Sequence, residues 1–256
     1  MAVDPLENRF KKALRAGQRQ IGFWCTMDGS VAVEIAAGAG YDWLLLDTEH
    51  TPTSDADILH RLQIVAGYET AAVVRPAWND RVRIKRLLDI GAQTLLIPYV
   101  ESAEEAAAAV DATRYPPQGS RGVAGTMRAS RFGSIPQYQA RAGGEICVLV
   151  QIESRKGLDN LEAIAAVDGV DGVFVGPADL AANCGLVLPR DAEKLDRLLD
   201  ETFARIAAAG RPSGILTTGF ETADRLIAAG AGFVAVGVDA ALYAREVRGL
   251  AKRFKG

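Results

Sequence analysis

Two acidic residues follow short apolar runs of the chain. Glu153 follows the run LVQI in LVQIES, and Asp179 ends FVGPAD. A carboxylate at the end of a buried strand loses hydration and needs a cation or hydrogen-bond donors to stay charged, so the pair suggests one shared hard metal ion. His50 and Arg75 close two other apolar runs in the same way. We therefore expect these four side chains to gather in one active site.

The oxygen ligands of this pair favour Mg²⁺ or Mn²⁺, with Co²⁺ as a further option, and leave positions for water or substrate. A structural zinc site would use Cys or His ligands instead. Each acid also has a structural alternative, because Asp179 could be a helix N-cap and Glu153 could favour a helix's first turn. No GxGxxG after a strand and no Walker loop occurs in the sequence, so no organic cofactor is expected.

Arg75 and His50 have chemistry that suits a developing anion and a mobile proton. The planar guanidinium of Arg75 suits a bidentate contact with a carboxylate or enolate oxygen, although it could instead form an internal ion pair with Asp47 or Glu49. His50 lies three residues after Asp47, close enough for that carboxylate to orient the ring. We interpret His50 as a general base, with a metal ligand or a structural hydrogen-bonding group as the alternatives.

Eight apolar runs, separated by alanine-rich segments of helical period, must position these residues. The runs are QIGFWCT, YDWLLLDTE, TAAVVRP, TLLIPYV, CVLVQIES, GVFVGPAD, SGILTT and FVAVGVD. Near-continuous apolarity is typical of strands buried on both faces, and the helical segments supply the crossovers that parallel strands require. The chain is therefore predicted to be an α/β protein, a single (β/α)8 (TIM) barrel over residues 1–256, with catalytic groups at the C-terminal strand ends.

The sequence also suggests roles for segments that lie outside the barrel strands. The N-terminal and C-terminal helices are candidates for an oligomer interface. The widest gap between strands, Tyr115 to Glu145, has the length of a functional lid or an interface segment. Its arginines, Arg121, Arg128 and Arg131, could face an anionic substrate, but for each one singly we expect solvent.

Composition excludes several classes of partner. The net charge is -3, and the basic residues are spread along the chain, so neither nucleic acid nor a membrane surface is an expected partner. The three cysteines are scattered, which fits a reducing compartment. We see neither a signal-peptide core nor an apolar stretch of ~20 residues, and expect a cytoplasmic protein that acts on a small molecule. Of the lysines, only Lys156 lies near a strand end, so imine chemistry is the weaker option.

Several segments together, in this order, resemble the HpcH/HpaI aldolase family. They are DWLLLDTEH, VVRPAWND, LLDIGAQTLLIPYV, TRYPPQGSRGV, VLVQIES, DGVFVGPADL and FVAVGVD, and the resemblance extends from about Trp24 to about Asp239. It implies a class II, divalent-metal-dependent aldolase that reversibly cleaves 4-hydroxy-2-oxo acids to pyruvate and an aldehyde. The alternatives are another metal-dependent lyase or mutase of oxo-acids or acyl thioesters, and a non-catalytic barrel that binds a small carboxylate.

The resemblance also implies a role for each matching residue. Glu153 and Asp179 would hold the metal ion that chelates pyruvate. Arg75 would contact the keto or enolate oxygen, and His50, oriented by Asp47, would transfer protons. The implied substrate-binding positions are the backbone of Gly176, Pro177 and Ala178, and the side chains of Trp24, Gln151 and Leu216.

The resemblance further implies that the chain assembles. Asp89 matches a position that reaches into a neighbouring subunit's site, so a homo-oligomer is expected, a hexamer built as a trimer of dimers. The chain departs from the family pattern at Thr48, where glycine is frequent. If the backbone at this position requires a positive φ angle, which glycine adopts easily, threonine there would shift the placement of His50. The stretch from Asn183 to Leu195 matches less clearly, and we expect it to border the aldehyde pocket.

Overall fold

The computed structural model describes residues 4–256. Over this range, eight strands form a closed barrel in which each strand pairs in parallel with the next and the last returns to the first. The strands are β1 (Gln20–Cys25), β2 (Trp43–Asp47), β3 (Ala71–Arg75), β4 (Thr94–Ile97), β5 (Cys147–Ile152), β6 (Gly172–Val175), β7 (Ser213–Leu216) and β8 (Phe233–Val238). The predicted (β/α)8 barrel is confirmed, and every strand lies within its predicted apolar run.

Helices connect the strands and cover the outside of the barrel. Within residues 4–256 they are α1 (Arg9–Arg15), α2 (Ser30–Ala37), α3 (Asp55–Val65), α4 (Arg81–Asp89), α5 (Ala103–Thr113), α6 (Tyr138–Glu145), α7 (Arg155–Asp159), α8 (Leu161–Ala166), α9 (Pro177–Asn183), α10 (Ala192–Ala208), α11 (Phe220–Ala228) and α12 (Asp239–Lys255). Side chains of Ser54, Asp80 and Ser102 accept hydrogen bonds from the first backbone N–H groups of α3, α4 and α5, which fixes where these helices begin. Across the described residues, no helix combines the length and apolarity needed to cross a membrane.

Helix α1 closes the N-terminal end of the barrel. Phe10 lies edge-on against Trp43 and Phe233, each at a ring-centroid distance of 5.9 Å. The side-chain rings of Trp43 and Phe233 fit inside the barrel because β1 and β7 carry glycines beside them. A Cβ at Gly22 would lie 2.1 Å from the Trp43 ring, and one at Gly214 would lie 2.2 Å from Phe233. Aromatic packing thus fills this end of the barrel and leaves the C-terminal end for chemistry.

The long segment between α5 and β5 contains a 3-10 turn, Arg128–Ser130, and helix α6. The expectation that its arginines face solvent is wrong for Arg121, whose side chain is fully buried, pairs with Asp89 at 2.8 Å and stacks on Tyr115 at 4.5 Å. Burial is tolerated because both an acid and an aromatic face meet the guanidinium. The segment lines a cavity of about 440 Å³ beside the N-terminal ends of β3 and β4, at the end opposite the predicted site.

Candidate active site

A cavity of about 450 Å³ opens at the C-terminal ends of the strands. Ten of the residues predicted from the sequence line it: Trp24, His50, Arg75, Gln151, Glu153, Gly176, Pro177, Ala178, Asp179 and Leu216. They come from strands all around the barrel, so the fold brings together residues that are far apart in the chain. The expected gathering of the two acids, the arginine and the histidine is present.

Arg75 is held in place by two carboxylates. Asp47 and Arg75 are directly opposite each other in the register of β2 and β3. Arg75 Nε and Nη2 donate to the two Asp47 oxygens at 2.8 and 2.7 Å, and Nη1 lies 2.7 Å from Glu49 Oε2. The guanidinium also lies over the Trp24 ring at 4.9 Å. Such a bidentate, stacked arginine has little freedom to rotate, so its position in the cavity is fixed before any ligand binds.

These contacts set the ionisation of the acids around Arg75. Burial alone would raise the pKa of Asp47, but the hydrogen bonds and charge of Arg75 hold that pKa below its usual value. Glu49 keeps a raised pKa, because burial outweighs the attraction of Arg75. The internal ion pair that was the alternative for Arg75 therefore exists, and the same side chain still lines the cavity.

The partner of Asp47 differs from the expected one. Both Asp47 oxygens accept hydrogen bonds from Arg75, and one also accepts from the Glu49 backbone N–H. His50 lies beyond the end of β2, is 66 % exposed, and places Nε2 3.9 Å from Glu49 Oε2. Strand register explains the difference, because it aligns Arg75 with Asp47 and leaves His50 in the loop. Asp47 orients Arg75 in this structure, and Glu49 is the acid nearest to His50.

Glu153 is buried directly after β5, beside Gly176 at the end of β6. Its Oε1 accepts a hydrogen bond from Gln151 Nε2 at 2.9 Å, and its Oε2 accepts one from the Tyr99 backbone N–H at 3.0 Å. A Cβ at position 176 would lie 2.4 Å from Glu153 Oε1, so glycine there makes room for the carboxylate. Burial is the main cause that raises the pKa of Glu153 to about 7, and the nearby Glu49 and Asp179 add to it.

Asp179 is the third residue of α9, whose N-cap is Gly176. The N-cap alternative for Asp179 is therefore wrong. Glu153 precedes Ser154, the N-cap of α7, so it lies outside that helix's first turn as well. The two acids lie on the wall of one cavity, Glu153 outside any helix and Asp179 in the first turn of α9.

The residues present fit a hard divalent cation. Asp47, Glu49 and Glu153 lie near one guanidinium and Asp179 lines the same cavity, so acidic side chains outnumber the fixed positive charge. Gln151 Oε1 is buried without a hydrogen bond from the described part of the chain, and Glu49 Oε2 meets only the charge of Arg75 Nη1 at 2.7 Å. Oxygen atoms with spare lone pairs and excess negative charge are what Mg²⁺ and Mn²⁺ bind. In the same described residues, no group of three or more His, Cys, Asp or Glu side chains is placed to hold a metal ion.

Three further sequence expectations concern residues at the margin of the site. Thr48 has no positive φ, and its hydroxyl donates to the Arg75 carbonyl at 2.6 Å, so the departure from glycine is accommodated. Lys156 is largely exposed and pairs with Glu101 at 3.3 Å, which differs from the desolvated amine that imine chemistry needs. Asp89 ends α4, pairs with Arg121, and does not line its own chain's cavity.

The comparison with known proteins adds a decisive observation to this geometry. The family model described as "HpcH/HpaI aldolase/citrate lyase" matches residues 20–245. The chain belongs to this family. The HpcH/HpaI membership predicted from the sequence is confirmed, and so is the predicted class of enzyme, a carbon–carbon lyase of the aldolase type that acts on a small-molecule substrate.

Relatives of this HpcH/HpaI chain match along almost its whole length. A pyruvate aldolase of Rhizobium etli is 54 % identical, over 96 % of this chain and 97 % of its own length. A 4-hydroxy-2-oxo-heptane-1,7-dioate aldolase of Shigella sonnei is 50 % identical, over 97 % of this chain and 95 % of its own. A crystal structure of an HpcH/HpaI aldolase/citrate lyase family protein from Burkholderia cenocepacia superimposes with a TM-score of 0.91 at 36 % identity, covering 97 % of this chain and 100 % of that one.

Some residues of the HpcH/HpaI site were not singled out from the sequence. Tyr99 supplies the N–H that holds Glu153, with a positive φ of 53°, and its position at the end of TLLIPYV is the same strand-end signal that identified the others. Thr217 and Thr222 follow β7 and also line the cavity. Asp196 lines it from α10, and no local pattern distinguishes it from an ordinary surface acid of a helix.

The raised pKa of Glu153 predicts a pH dependence of metal binding. The folded, metal-free protein holds a proton on Glu153 up to about pH 7, whereas the ordinary value is 4.5. Between these values the unfolded chain binds fewer protons than the folded chain, so the stability of the metal-free protein falls as pH rises. A cation bound by Glu153, as the sequence predicts, would have to displace that proton below about pH 7, so its affinity is expected to rise with pH and then level off.

Thermal unfolding with and without Mg²⁺ checks this expectation. The Mg²⁺-induced rise in Tm should be small at about pH 5.5 and large at about pH 8. In Glu153→Gln the rise should be weak at both pH values. A rise that is equally large throughout the range in the unaltered protein would contradict the assignment.

Proposed function

We propose that this protein is a class II aldolase that cleaves 4-hydroxy-2-oxo acids, such as 4-hydroxy-2-oxoheptanedioate, reversibly to pyruvate and an aldehyde. The observation that carries the proposal is the shared cavity, in which a fixed Arg75 faces the carboxylates Glu153 and Asp179. Such an arrangement places positive charge where an enolate would form and leaves oxygen ligands for a cation. The names of the relatives agree with this chemistry.

Glu153 and Asp179 hold the divalent ion, Mg²⁺, Mn²⁺ or Co²⁺, and no organic cofactor takes part. When bound, the ion supplies Lewis-acid stabilisation to negative charge on the keto oxygen of the substrate. Gln151 keeps Glu153 in place through its hydrogen bond of 2.9 Å, and the Tyr99 backbone does so from the other side. These two hydrogen bonds fix the orientation of the Glu153 carboxylate in the cavity.

Arg75 stabilises the oxyanion of the pyruvate enolate, and the start of α9 binds the pyruvate carboxylate. The first N–H groups of a helix have no partner within the helix and favour anions. Gly176, Pro177 and Ala178 line the cavity with their backbone. The free donor among them is the Ala178 N–H, because Pro177 has no N–H and the Gly176 N–H donates to the Ile152 carbonyl at 3.1 Å. Trp24 and Leu216 form the apolar walls that exclude water around the reacting carbons.

His50 transfers the proton of the hydroxyl group. In cleavage, His50 removes the proton from the 4-hydroxyl, the bond between carbons 3 and 4 breaks, and its electron pair passes to the pyruvate enolate. Protonation of carbon 3 then completes pyruvate. In synthesis the protonated ring returns its proton to the new alkoxide. The exposed ring at the cavity mouth can exchange protons with water between turnovers.

Exchange of the pyruvate methyl protons with deuterated water tests this function. The protein with Mg²⁺ or Mn²⁺ should catalyse the exchange and should release pyruvate from 4-hydroxy-2-oxo acids, and a chelator should stop both. Absence of exchange with every metal would support the non-catalytic carboxylate-binding barrel instead. Exchange without release of pyruvate from any 4-hydroxy-2-oxo acid would favour another lyase or mutase.

We also propose that the protein is a homo-oligomer in which α12 packs against another copy; the resemblance implies a trimer of dimers. One face of α12 exposes Tyr243, Val247, Leu250 and Phe254. Their spacing puts them in one stripe along the helix. An apolar stripe of this length is typical of a protein interface. Contacts of Asp89 with a neighbour's site, and a cytoplasmic location, stay predictions.

Charge on this stripe is expected to break the assembly. Val247→Glu with Leu250→Glu places two carboxylates in the proposed interface and should lower the molar mass in sedimentation or light scattering to that of a smaller species. Lys252→Glu, on the opposite face of the same helix, is the matched control and should leave the mass unchanged. An unaltered mass in the double variant would rule out α12 as the interface.

A further inference from the structure

We infer that Asn183 is a positioning residue of the metal site, whose side-chain amide fixes the segments that carry Glu153 and Asp179 relative to each other. The inference rests on the proposed function, which assigns the metal ion to these two acids, and it concerns what places them. Asn183 is the last residue of α9 and does not line the cavity. Its effect on a bound ion must therefore pass through its neighbours.

The amide nitrogen of Asn183 meets three acceptors from three different loops of the barrel rim. Nδ2 lies 3.0 Å from the Asp179 carbonyl oxygen, 3.3 Å from the Glu153 carbonyl oxygen and 2.9 Å from the Tyr99 hydroxyl oxygen. These acceptors follow β6, β5 and β4, in that order. The two hydrogen atoms of the amide are shared among them. One side chain thus joins three strand ends, and two of these carry the proposed metal ligands.

The contact with Tyr99 also acts on the carboxylate of Glu153. The Tyr99 backbone N–H donates to Glu153 Oε2 at 3.0 Å from a residue with a φ of 53°. This conformation is unfavourable for a bulky residue and persists where surrounding contacts hold it. Those contacts include the bond from Asn183 to the hydroxyl and the stacking of the ring on Trp78, at a centroid distance of 6.2 Å. Asn183 therefore holds Glu153 at its carbonyl directly and at its carboxylate through Tyr99.

Support of a helix end is the alternative role for Asn183. The contact with Asp179 spans four residues within α9, and on its own it would only support that helix. The contacts with Glu153 and Tyr99 span 30 and 84 residues, which support of a helix end does not require. Asn183 is also exposed, so its replacement opens no cavity in the core.

The geometry of the two acids matters more for some cations than for others. Mg²⁺ demands a nearly ideal octahedral arrangement of oxygen ligands, whereas Ca²⁺ accepts a wider range of ligand positions. Asp179 lies in the first turn of α9 and Asn183 at its end, so the amide fixes this short helix against the strand end that carries Glu153. Without the amide the two acids can move relative to each other, and binding of Mg²⁺ should suffer more than binding of Ca²⁺.

Calorimetric titration of the protein with Mg²⁺ and with Ca²⁺ tests the inference. Asn183→Leu keeps the approximate size of the side chain and removes both donors. We expect it to weaken Mg²⁺ binding by about tenfold, the lower end of the range for residues that orient metal ligands, and Ca²⁺ binding by less. Tyr99→Phe removes only the hydroxyl acceptor, so its loss of Mg²⁺ affinity should be smaller than that of Asn183→Leu.

Asn160→Leu is the matched control. Asn160 is likewise an exposed asparagine at a helix end, and its Nδ2 donates to the Glu101 carbonyl at 2.8 Å instead of to either acid of the site. Its affinities for both ions should equal those of the unaltered protein. The Tm of each variant without metal is measured alongside, and it should stay close to that of the unaltered protein.

An unchanged Mg²⁺ affinity in Asn183→Leu, an equal loss for Mg²⁺ and Ca²⁺, or the same loss in Asn160→Leu would overturn the inference. Glu153→Gln in the same series separates it from the proposed function. Loss of Mg²⁺ binding in Glu153→Gln but not in Asn183→Leu would remove the positioning role alone. An unaltered protein that binds no Mg²⁺, or a Glu153→Gln variant that binds it equally well, would overturn the metal site itself.

Discussion

Arg75→Lys is expected to lower kcat for cleavage by about 10²- to 10³-fold, the cost of losing one preorganised donor to a developing oxyanion. Lysine keeps the positive charge, but its single ammonium cannot reproduce the forked contacts with Asp47 at 2.8 and 2.7 Å while it also faces the substrate. The variant should remain folded and bind divalent metal, because Glu153 and Asp179 are unchanged. Steady-state kinetics with metal titration by calorimetry measure both properties.

Two further substitutions separate catalysis from stability at this position. Arg75→Ala should lower the free energy of unfolding by about 3–5 kcal/mol, because Asp47 would remain fully buried, and Glu49 largely buried, without a countercharge. His50→Ala should lose turnover without a change in the free energy of unfolding, since its ring is exposed. Near-normal turnover in Arg75→Lys, or full stability in Arg75→Ala, would contradict the role assigned to this arginine.

Glu153→Gln is expected to weaken divalent-metal binding by about 100-fold or more and to reduce turnover in parallel, because it removes a charged ligand and leaves the shape of the site. The same variant should be at least as stable as the unaltered protein in the absence of metal above about pH 7. Burial disfavours the ionised form of Glu153 and raises its pKa to about 7, so ionisation above that pH lowers the stability of the unaltered protein. Glutamine is neutral at every pH and avoids this cost.

Glu101→Gln is the control for this prediction. Glu101 contacts Ser154 and Lys156 in the loop that follows Glu153, but it does not line the cavity. Mn²⁺ binding and turnover should therefore stay close to those of the unaltered protein. Tight metal binding in Glu153→Gln, or an equal loss in Glu101→Gln, would mean that the ion is held elsewhere.

The sequence was a reliable guide to the barrel and to most residues of the site. Strands such as WLLLD and CVLVQI are apolar at every position or nearly so, because parallel strands are covered on both faces, and this signal does not depend on distant residues. Polar residues at the ends of such strands then meet at one rim for purely geometric reasons. This is why Arg75, Glu153 and Asp179 could be grouped before their positions were known.

The remaining features depend on contacts between distant segments. Arg75 pairs with Asp47 because the register of β2 against β3 places the two residues opposite each other. Neighbouring residues in the sequence do not indicate this register. Arg121 looks like an ordinary charged loop residue until the fold brings it against Asp89 and Tyr115. Tyr99 takes a positive φ because its N–H is turned toward Glu153, and non-glycine residues give no local sign of that conformation.

The aromatic plug formed by Phe10, Trp43 and Phe233 has a kinetic consequence. With one end of the barrel sealed in this way, substrates and products share the opening at the other end, and they must pass it in sequence. With pyruvate beside Glu153 and Asp179, as proposed above, we expect it to be the first reactant to enter in synthesis and the last to depart in cleavage. We therefore expect an ordered catalytic cycle.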